Sequence, residues 1–315
     1  MLSQVTEPQA RRVAVLTHMG RPAAVDAANR LIEGLTAAGI TSALPAEDLR
    51  SIDPKLSVTE LAYPLTGDEG IELMLVLGGD GTILRGAEWV FTHDIPLLGV
   101  NLGHVGFLAE AESSEIDSIV EHVVARSYRV EERFTIEVTL RECRTEEIVW
   151  SSYAINEVSI EKAARERMLE VLVEVDARPL SRWACDGVLV ATPTGSTAYA
   201  FSAGGPIIWP GVDALLVVPL SAHALFARPL VLGPESQVVI EVIQASQTHG
   251  VVWCDGRRSA ELRPGMEIQV RQGAHRLRLA RLSTAPFTDR LVNKFGLRVE
   301  GWRGAAEAWR SGAGG

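Results

Sequence analysis

The chain has 315 residues, 47% of them hydrophobic and 22% charged, which is enough apolar material to build a large core in one or two domains. Its 30 lysines and arginines stand against 40 aspartates and glutamates. The formal net charge of −10 argues against a nucleic-acid or anionic-membrane surface and leaves small phosphate-bearing ligands open.

The opening residues MLSQVTEPQARR lack the apolar stretch of a secretory signal, and no run reaches the length of a membrane span, so a cytoplasmic protein is expected. Cys143, Cys185 and Cys254 are odd in number and far apart, and they are expected to be reduced and structural. The first predicted strand is Val13-Ala14-Val15-Leu16. Pro22 opens a helix that runs to about Ala38 and stops at Gly39. Residues 45–70 show no sustained period and read as a mobile, solvent-facing connection.

Leu73 to Leu77 is a short, wholly apolar run, suited to a central strand covered on both faces. It feeds Gly78-Gly79-Asp80-Gly81-Thr82. Glycines there permit positive φ and let backbone N–H groups approach a phosphate closely, and a helix over Ile83 to Phe91 would add its dipole. Asp80 would repel such an anion unless it holds a metal ion or receives a proton from an attacking hydroxyl, which points to phosphoryl transfer. An ordinary βα turn with Asp80 capping its own helix fits the same residues. A third buried strand over Ile95 to Val100 leads into a second glycine loop, Asn101 to Leu108, and a helix follows over Ile116 to Ala125.

Beyond residue 130 the period changes to two. Phe134, Ile136, Val138 and Leu140 alternate with polar residues, as do Val171, Val173 and Val175, and further strands are expected at 188–191, 215–218, 237–243, 251–254, 267–271 and 277–282. The expected architecture is an α/β, Rossmann-like N-terminal domain (1–130), a largely antiparallel β domain (131–285), and a C-terminal helix over Thr288 to Phe295 with a loose tail (286–315). Asn156 and Glu157 sit side by side in an apolar strand context. One of them would face the core, where an unpaired polar group costs about 1–3 kcal/mol unless a ligand or a turn satisfies it. The small-residue run Thr192 to Ser202 contains Ser196 but no G-x-S-x-G elbow and no base at a recognisable spacing, so a serine nucleophile is not supported. Asp255-Gly256 reads as a hairpin turn.

The Gly-Gly-Asp-Gly-Thr signature is shared by NAD kinases, diacylglycerol-type lipid kinases and, in looser form, phosphofructokinases. Three other stretches narrow the choice. Asn101 to Leu108 resembles the N-x-G-x-x-G-F-L segment of NAD kinases. Asp186 to Pro206 resembles the D-G…T-P-T-G-S-T-A-Y…S-x-G-G-P core of the bacterial members, and Pro219 to Leu230 resembles their P-x-x-x-H-x-L…R-P-L segment. The resemblance implies ATP-dependent transfer of a phosphoryl group to the 2′-hydroxyl of the adenosine ribose of NAD. It implies that Asp80 orients or deprotonates that hydroxyl and is a candidate Mg²⁺ ligand. Gly78, Gly79, Gly81, Thr82 and Arg85 would cradle phosphates. Asn156 and Glu157 would hold the ribose, and Asp186, Thr197, Ala198, Tyr199 and Ser202 would line the base and nicotinamide pockets. Asn101, Gly103, His104 and His223 are further candidates beside the nucleotide. A homodimer or homotetramer is also implied. Inorganic polyphosphate stays open as an alternative donor, and a lipid kinase or a non-catalytic dinucleotide sensor are the rival readings.

Overall fold

The computed structural model describes residues 10–18, 20–67, 69–102, 106–246, 248–283 and 285–297. The chain divides into two compact units, one of residues 1–86, 97–129 and 280–315, the other of residues 87–96 and 130–279.

In the first unit β1 (Arg12–Thr17), α1 (Pro22–Ala37), β2 (Thr41–Pro45), α2 (Ala46–Leu49), β3 (Val58–Leu61), β4 (Ile71–Leu77), the start of α3 (Asp80–Val90), β5 (Leu97–Asn101), β6 (Ala111–Glu112) and α4 (Ile116–Ala125) follow in order. The strands pair in parallel in the order β3-β2-β1-β4-β5, with β6 beside β5. Both faces of such a sheet are covered, which is why β1 and β4 read as unbroken apolar runs. Val13 to Leu16 and Leu73 to Leu77 are fully buried. Val13, Val15, Leu73 and Leu75 share a cluster with Leu31 and Leu35 of α1 and Ile119 and Val123 of α4. Val76 points to the opposite face, and there α3 lies so close that a side chain at Gly86 would collide with it.

Helix α1 begins at Pro22 and is stopped just before Gly39, whose φ of +75° lets Ile40 N–H return to the Leu35 carbonyl at 2.9 Å. Residues 45–70 differ from expectation. They hold the end of β2, α2 and β3, an outermost strand of the parallel set in which only Leu61 is buried, so it carries no apolar run to announce it.

After a first excursion over residues 87–96, the chain passes between the units in β7 (Arg129–Arg133) and again in β20 (Leu277–Arg281). Between them lie β8 (Ile136–Glu142), β9 (Ile148–Ala154), β10 (Glu157–Lys162), β11 (Leu169–Val175), β12 (Arg178–Cys185), β13 (Gly187–Ala191), α5 (Tyr199–Ser202), β14 (Leu215–Leu220), β15 (Leu230–Leu232), β16 (Val238–Val242), β17 (Gly250–Cys254), β18 (Arg258–Leu262) and β19 (Met266–Gln272). They form two six-stranded antiparallel sheets, β15-β14-β13-β10-β17-β18 and β12-β11-β16-β19-β8-β9. Val158, Ile160, Val188 and Val252 of one sheet and Val138, Val171, Ile240 and Ile268 of the other share one buried cluster, as the period-two alternation requires. The outer side of the first sheet, Leu189, Ala191, Leu216 and Val218, packs under Ala200 and Ile208, which fixes α5 in place.

Helix α6 (Phe287–Phe295) belongs to the first unit and ends at Gly296 with φ +58°. The tail from residue 304 lies outside the described residues. All three cysteines are free thiols, and burial pushes Cys185 and Cys254 up to about 12 and Cys143 to about 11, so none is poised to react. Among the described residues no helix is long and apolar enough to cross a membrane.

Candidate nucleotide sites in the two units

In an open parallel sheet, ligands bind beyond the carboxyl ends of the strands where the strand order reverses. With the order 3-2-1-4-5, that point lies between β1 and β4, and Gly78 to Thr82 follows β4 directly. Gly78 N–H donates to the Val100 carbonyl at 2.9 Å, and the Gly79 carbonyl receives Thr82 and Ile83, so Gly79 opens α3 and Asp80 is its first residue. The turn does not use positive φ at any of its three glycines, contrary to expectation. Its glycines serve space instead. A Cβ on Gly78 would clash with the Thr82 side chain, whereas Gly79 and Gly81 face open space within 4 Å, leaving backbone for a ligand to approach.

Asp80 does not cap its own helix. Its carboxylate accepts the backbone N–H groups of Phe107 and Leu108, each at 3.2 Å, from the loop after β5. Gly106 makes this possible, because a Cβ there would overlap Oδ1 and lie 2.9 Å from Cγ. Asp80 is half-buried, so its remaining lone pairs are accessible. Arg85 is turned to Glu47, with Nη2 2.9 Å from Oε1. Gly103 and His104 lie outside the described residues. Asn101 is buried at the end of β5 and lines a cavity of about 400 Å³ with Gly106, Glu110, Ser283, Arg290 and Asn293. No sequence pattern announces Glu110. Its carboxylate, 1% exposed, takes Arg281 at 2.9 Å, Arg290 at 2.5 Å and the Leu282 and Ser283 N–H groups. Partners some 170 positions away leave no local signal.

In the second unit Asn156 and Glu157 do not lie in one strand as expected. Strand β9 stops at Ala154, the chain bends at Ile155 and Asn156, and β10 begins at Glu157 in the other sheet. The Thr192 backbone N–H donates to the Asn156 carbonyl at 2.8 Å, and Thr192 Oγ1 donates to the Ile155 carbonyl at 2.6 Å. Gly195 lies against this bend: a Cβ would overlap the Asn156 carbonyl oxygen and lie 2.8 Å from its Cα. Ser196 is fully buried. Its hydroxyl accepts Ile208 N–H at 2.9 Å and donates to the Pro193 carbonyl at 2.6 Å, so it is no nucleophile.

Asp186, Tyr199 and Ser202 line one cavity of about 530 Å³. No motif in the sequence marks its other polar walls, Glu161, Lys162, Arg165 and Ser221. Lys162 Nζ lies 2.5 Å from Asp186 Oδ1, and this bond holds the Asp186 carboxyl below its ordinary range. His223 pairs with Ala184, its N–H donating to the Ala184 carbonyl at 2.8 Å, which brings it to the strand end that carries Asp186. Thr197 and Ala198 are half-buried just ahead of α5, with the Thr197 hydroxyl on the Thr194 carbonyl at 3.1 Å, and they are not among the walls of this cavity. Glu157 is 9% exposed, and among the described residues its Oε2 has no hydrogen-bond partner. Burial first, and the neighbouring Asp255 carboxylate second, push its acid up to about 8, while the Tyr199 backbone N–H pulls the other way.

Among the described residues no three His, Cys, Asp or Glu side chains gather to hold a metal ion. Asp80 offers a single carboxylate. A Mg²⁺ ion fits that donor set only in the usual manner of phosphoryl-transfer sites, with nucleotide phosphates and water completing the shell.

A glycine turn with a lone carboxylate at the switch point of a parallel sheet, followed by a two-sheet β unit with a polar cavity, defines a nucleotide-dependent phosphotransferase. Residues 13–128 match the model of the ATP-NAD kinase N-terminal domain, and residues 155–282 match that of the C-terminal domain. An NAD kinase 2 of Streptomyces coelicolor is 52% identical over 96% of this chain and 99% of its own, and an NAD kinase of Cutibacterium acnes is 51% identical over 93% and 92%. A yeast NADH kinase solved with NADH superposes with a TM-score of 0.82 at 24% identity, covering 94% of this chain and 90% of its own. The chain belongs to the NAD kinase family, and its activity is the phosphorylation of NAD.

Proposed function

We propose that the chain transfers the terminal phosphoryl group of ATP to the 2′-hydroxyl of the adenosine ribose of NAD, giving NADP. The observation that carries this reading is the Asp80 carboxylate, held by two backbone N–H groups at 3.2 Å beside glycines that open onto solvent. Those bonds fix the direction of the carboxylate and leave lone pairs to orient the hydroxyl and take up its proton. Gly79, Gly81 and Thr82 would meet phosphate oxygens, and Arg85 would add a cation once released from Glu47. A Mg²⁺ ion bound by Asp80 and the phosphates would neutralise charge on the transferring group. Asn156 and Glu157 would hold the ribose, with Asp186, Thr197, Ala198, Tyr199 and Ser202 around the bases and His223 beside them.

Little covalent work falls to the protein in such a transfer, so positioning and electrostatics supply the rate. Asp80→Asn is therefore expected to lower kcat by about 10² to 10⁴ with little change in NAD affinity. The test is NADP formation from NAD with ATP or polyphosphate as donor. Near-normal turnover in the folded variant removes Asp80 from the mechanism, and product carrying phosphate elsewhere on NAD removes the 2′-assignment. A homodimer or homotetramer is supported by large apolar side chains left exposed on the second unit, Trp209, Val212, Leu225 and Val231, and light scattering decides the subunit number.

A further inference from the structure

Where the chain crosses from β9 to β10, the backbone N–H groups of Ile155, Asn156 and Glu157 converge on one side chain. Asp255 Oδ1 accepts Asn156 at 2.7 Å, Ile155 at 3.1 Å and Glu157 at 3.3 Å, and Oδ2 accepts Ile155 at 3.0 Å. The Asp255 N–H returns to the Glu157 carbonyl at 2.9 Å. Behind the carboxylate, Arg258 Nη2 donates to Oδ2 at 2.9 Å while its guanidinium lies 3.9 Å over the Tyr153 ring. Phe91 stacks on that ring at 3.9 Å, and Glu88 binds both Arg257 and Arg258.

A plain Asp-Gly hairpin does not require any of this. Asp255 and Gly256 have φ of +52° and +63°, and asparagine takes such a turn as readily as aspartate. Burying a carboxylate is expensive, and here a side chain only 1% exposed has both oxygens already engaged by backbone N–H groups and Arg258. We propose that Asp255 is the positioning residue of the dinucleotide site, its carboxylate holding the Ile155–Glu157 crossing so that Asn156 and Glu157 are presented to NAD as one rigid unit. This rests on Asn156 and Glu157 being the NAD contacts.

The same carboxylate sets the state of Glu157. Facing Glu157 are Asp255 from the β17–β18 turn, with Arg258 behind it, and Tyr199 of α5, while β13 offers only Ala191 opposite. With its acid pushed up to about 8, Glu157 is neutral at pH 7. It can then donate a hydrogen bond without setting a second negative charge against the pyrophosphate of NAD.

NAD binding and steady-state kinetics from pH 6 to 9.5 test this on the full chain. Wild type is expected to lose NAD affinity above pH 8. Asp255→Asn keeps the turn, and is expected to raise KM for NAD about tenfold with kcat changed less, and to move the onset of that loss about one pH unit lower. Glu157→Gln, an isostere of the neutral acid, is expected to abolish the pH-dependent loss; this measurement stands even if Asp255→Asn does not fold. An unmoved onset in Asp255→Asn overturns the proposal whether or not KM rises, and so does a loss that persists in Glu157→Gln. An unchanged KM for NAD in Asn156→Ala overturns instead the assignment of Asn156 and Glu157.

Discussion

Gly106 stands where the loop after β5 meets the Asp80 carboxylate, and alanine there asks whether the direction of that carboxylate sets the rate. The new Cβ would overlap Oδ1 and lie 2.9 Å from Cγ and 3.1 Å from Oδ2. Ordinary contact between carbon atoms is about 3.5–4.0 Å, so the carboxylate or the Phe107–Leu108 backbone must move by about 0.5–1 Å. Either motion takes the two hydrogen bonds, already 3.2 Å long, to the edge of useful geometry or beyond it. A misplacement of about 1 Å at a reacting group costs about 10²-fold in rate. Overpacking costs about 1–3 kcal/mol of stability, which a domain of this size can absorb. Gly106→Ala is therefore expected to lower kcat about 10²-fold while KM for NAD stays within about threefold, because the substitution displaces only Asp80, whose role is to aim the hydroxyl, and leaves Asn156, Glu157 and the other dinucleotide contacts untouched. NADP formation, followed through a coupled dehydrogenase on protein with a cooperative thermal transition, measures both. Turnover within about twofold of wild type in the folded variant would refute the claim that this loop aims Asp80.

Three further outcomes follow from the second unit. Ser196→Ala leaves Ile208 N–H buried without its acceptor and is expected to cost about 1–3 kcal/mol, read as a lowered Tm, with kcat retained; a thousandfold loss of kcat would instead make Ser196 a reacting group. Asn156→Ala is expected to raise KM for NAD, and an unchanged KM would place Asn156 outside the site. Glu157 has its acid raised from 4.5 to about 8, so the unfolded chain releases this proton at the lower pH and the folded chain retains it. The stability it contributes is fully present below about pH 4.5 and is lost as pH climbs through 8. Glu157→Gln, which cannot ionise, is expected to gain Tm relative to wild type progressively from pH 5 to 8, and parallel Tm–pH curves would contradict the buried neutral acid.

What the sequence made legible, and what it concealed, is clearest in three Asp-Gly pairs that look alike on paper. Asp80-Gly81 follows a buried strand and lies half-buried, its carboxylate tied to two amides from another loop. Its place in a glycine turn after an apolar run is a local pattern, and the sequence could show it. Asp186-Gly187 opens β13 on a cavity wall, bound to Lys162 at 2.5 Å. The small-residue motif that follows gave its position but not its partner. Asp255-Gly256 reads as a hairpin, and it is one, yet its carboxylate serves amides about 100 residues earlier in the chain. Local periodicity carries no trace of such a pairing, because the β9–β10 crossing and the β17–β18 turn come together only when the sheet containing β10 and β17 forms. Burial then separates the roles. The half-exposed carboxylate can meet a substrate hydroxyl, the one on the cavity wall can meet a ligand, and the buried one, with both oxygens already engaged, acts through the backbone it holds.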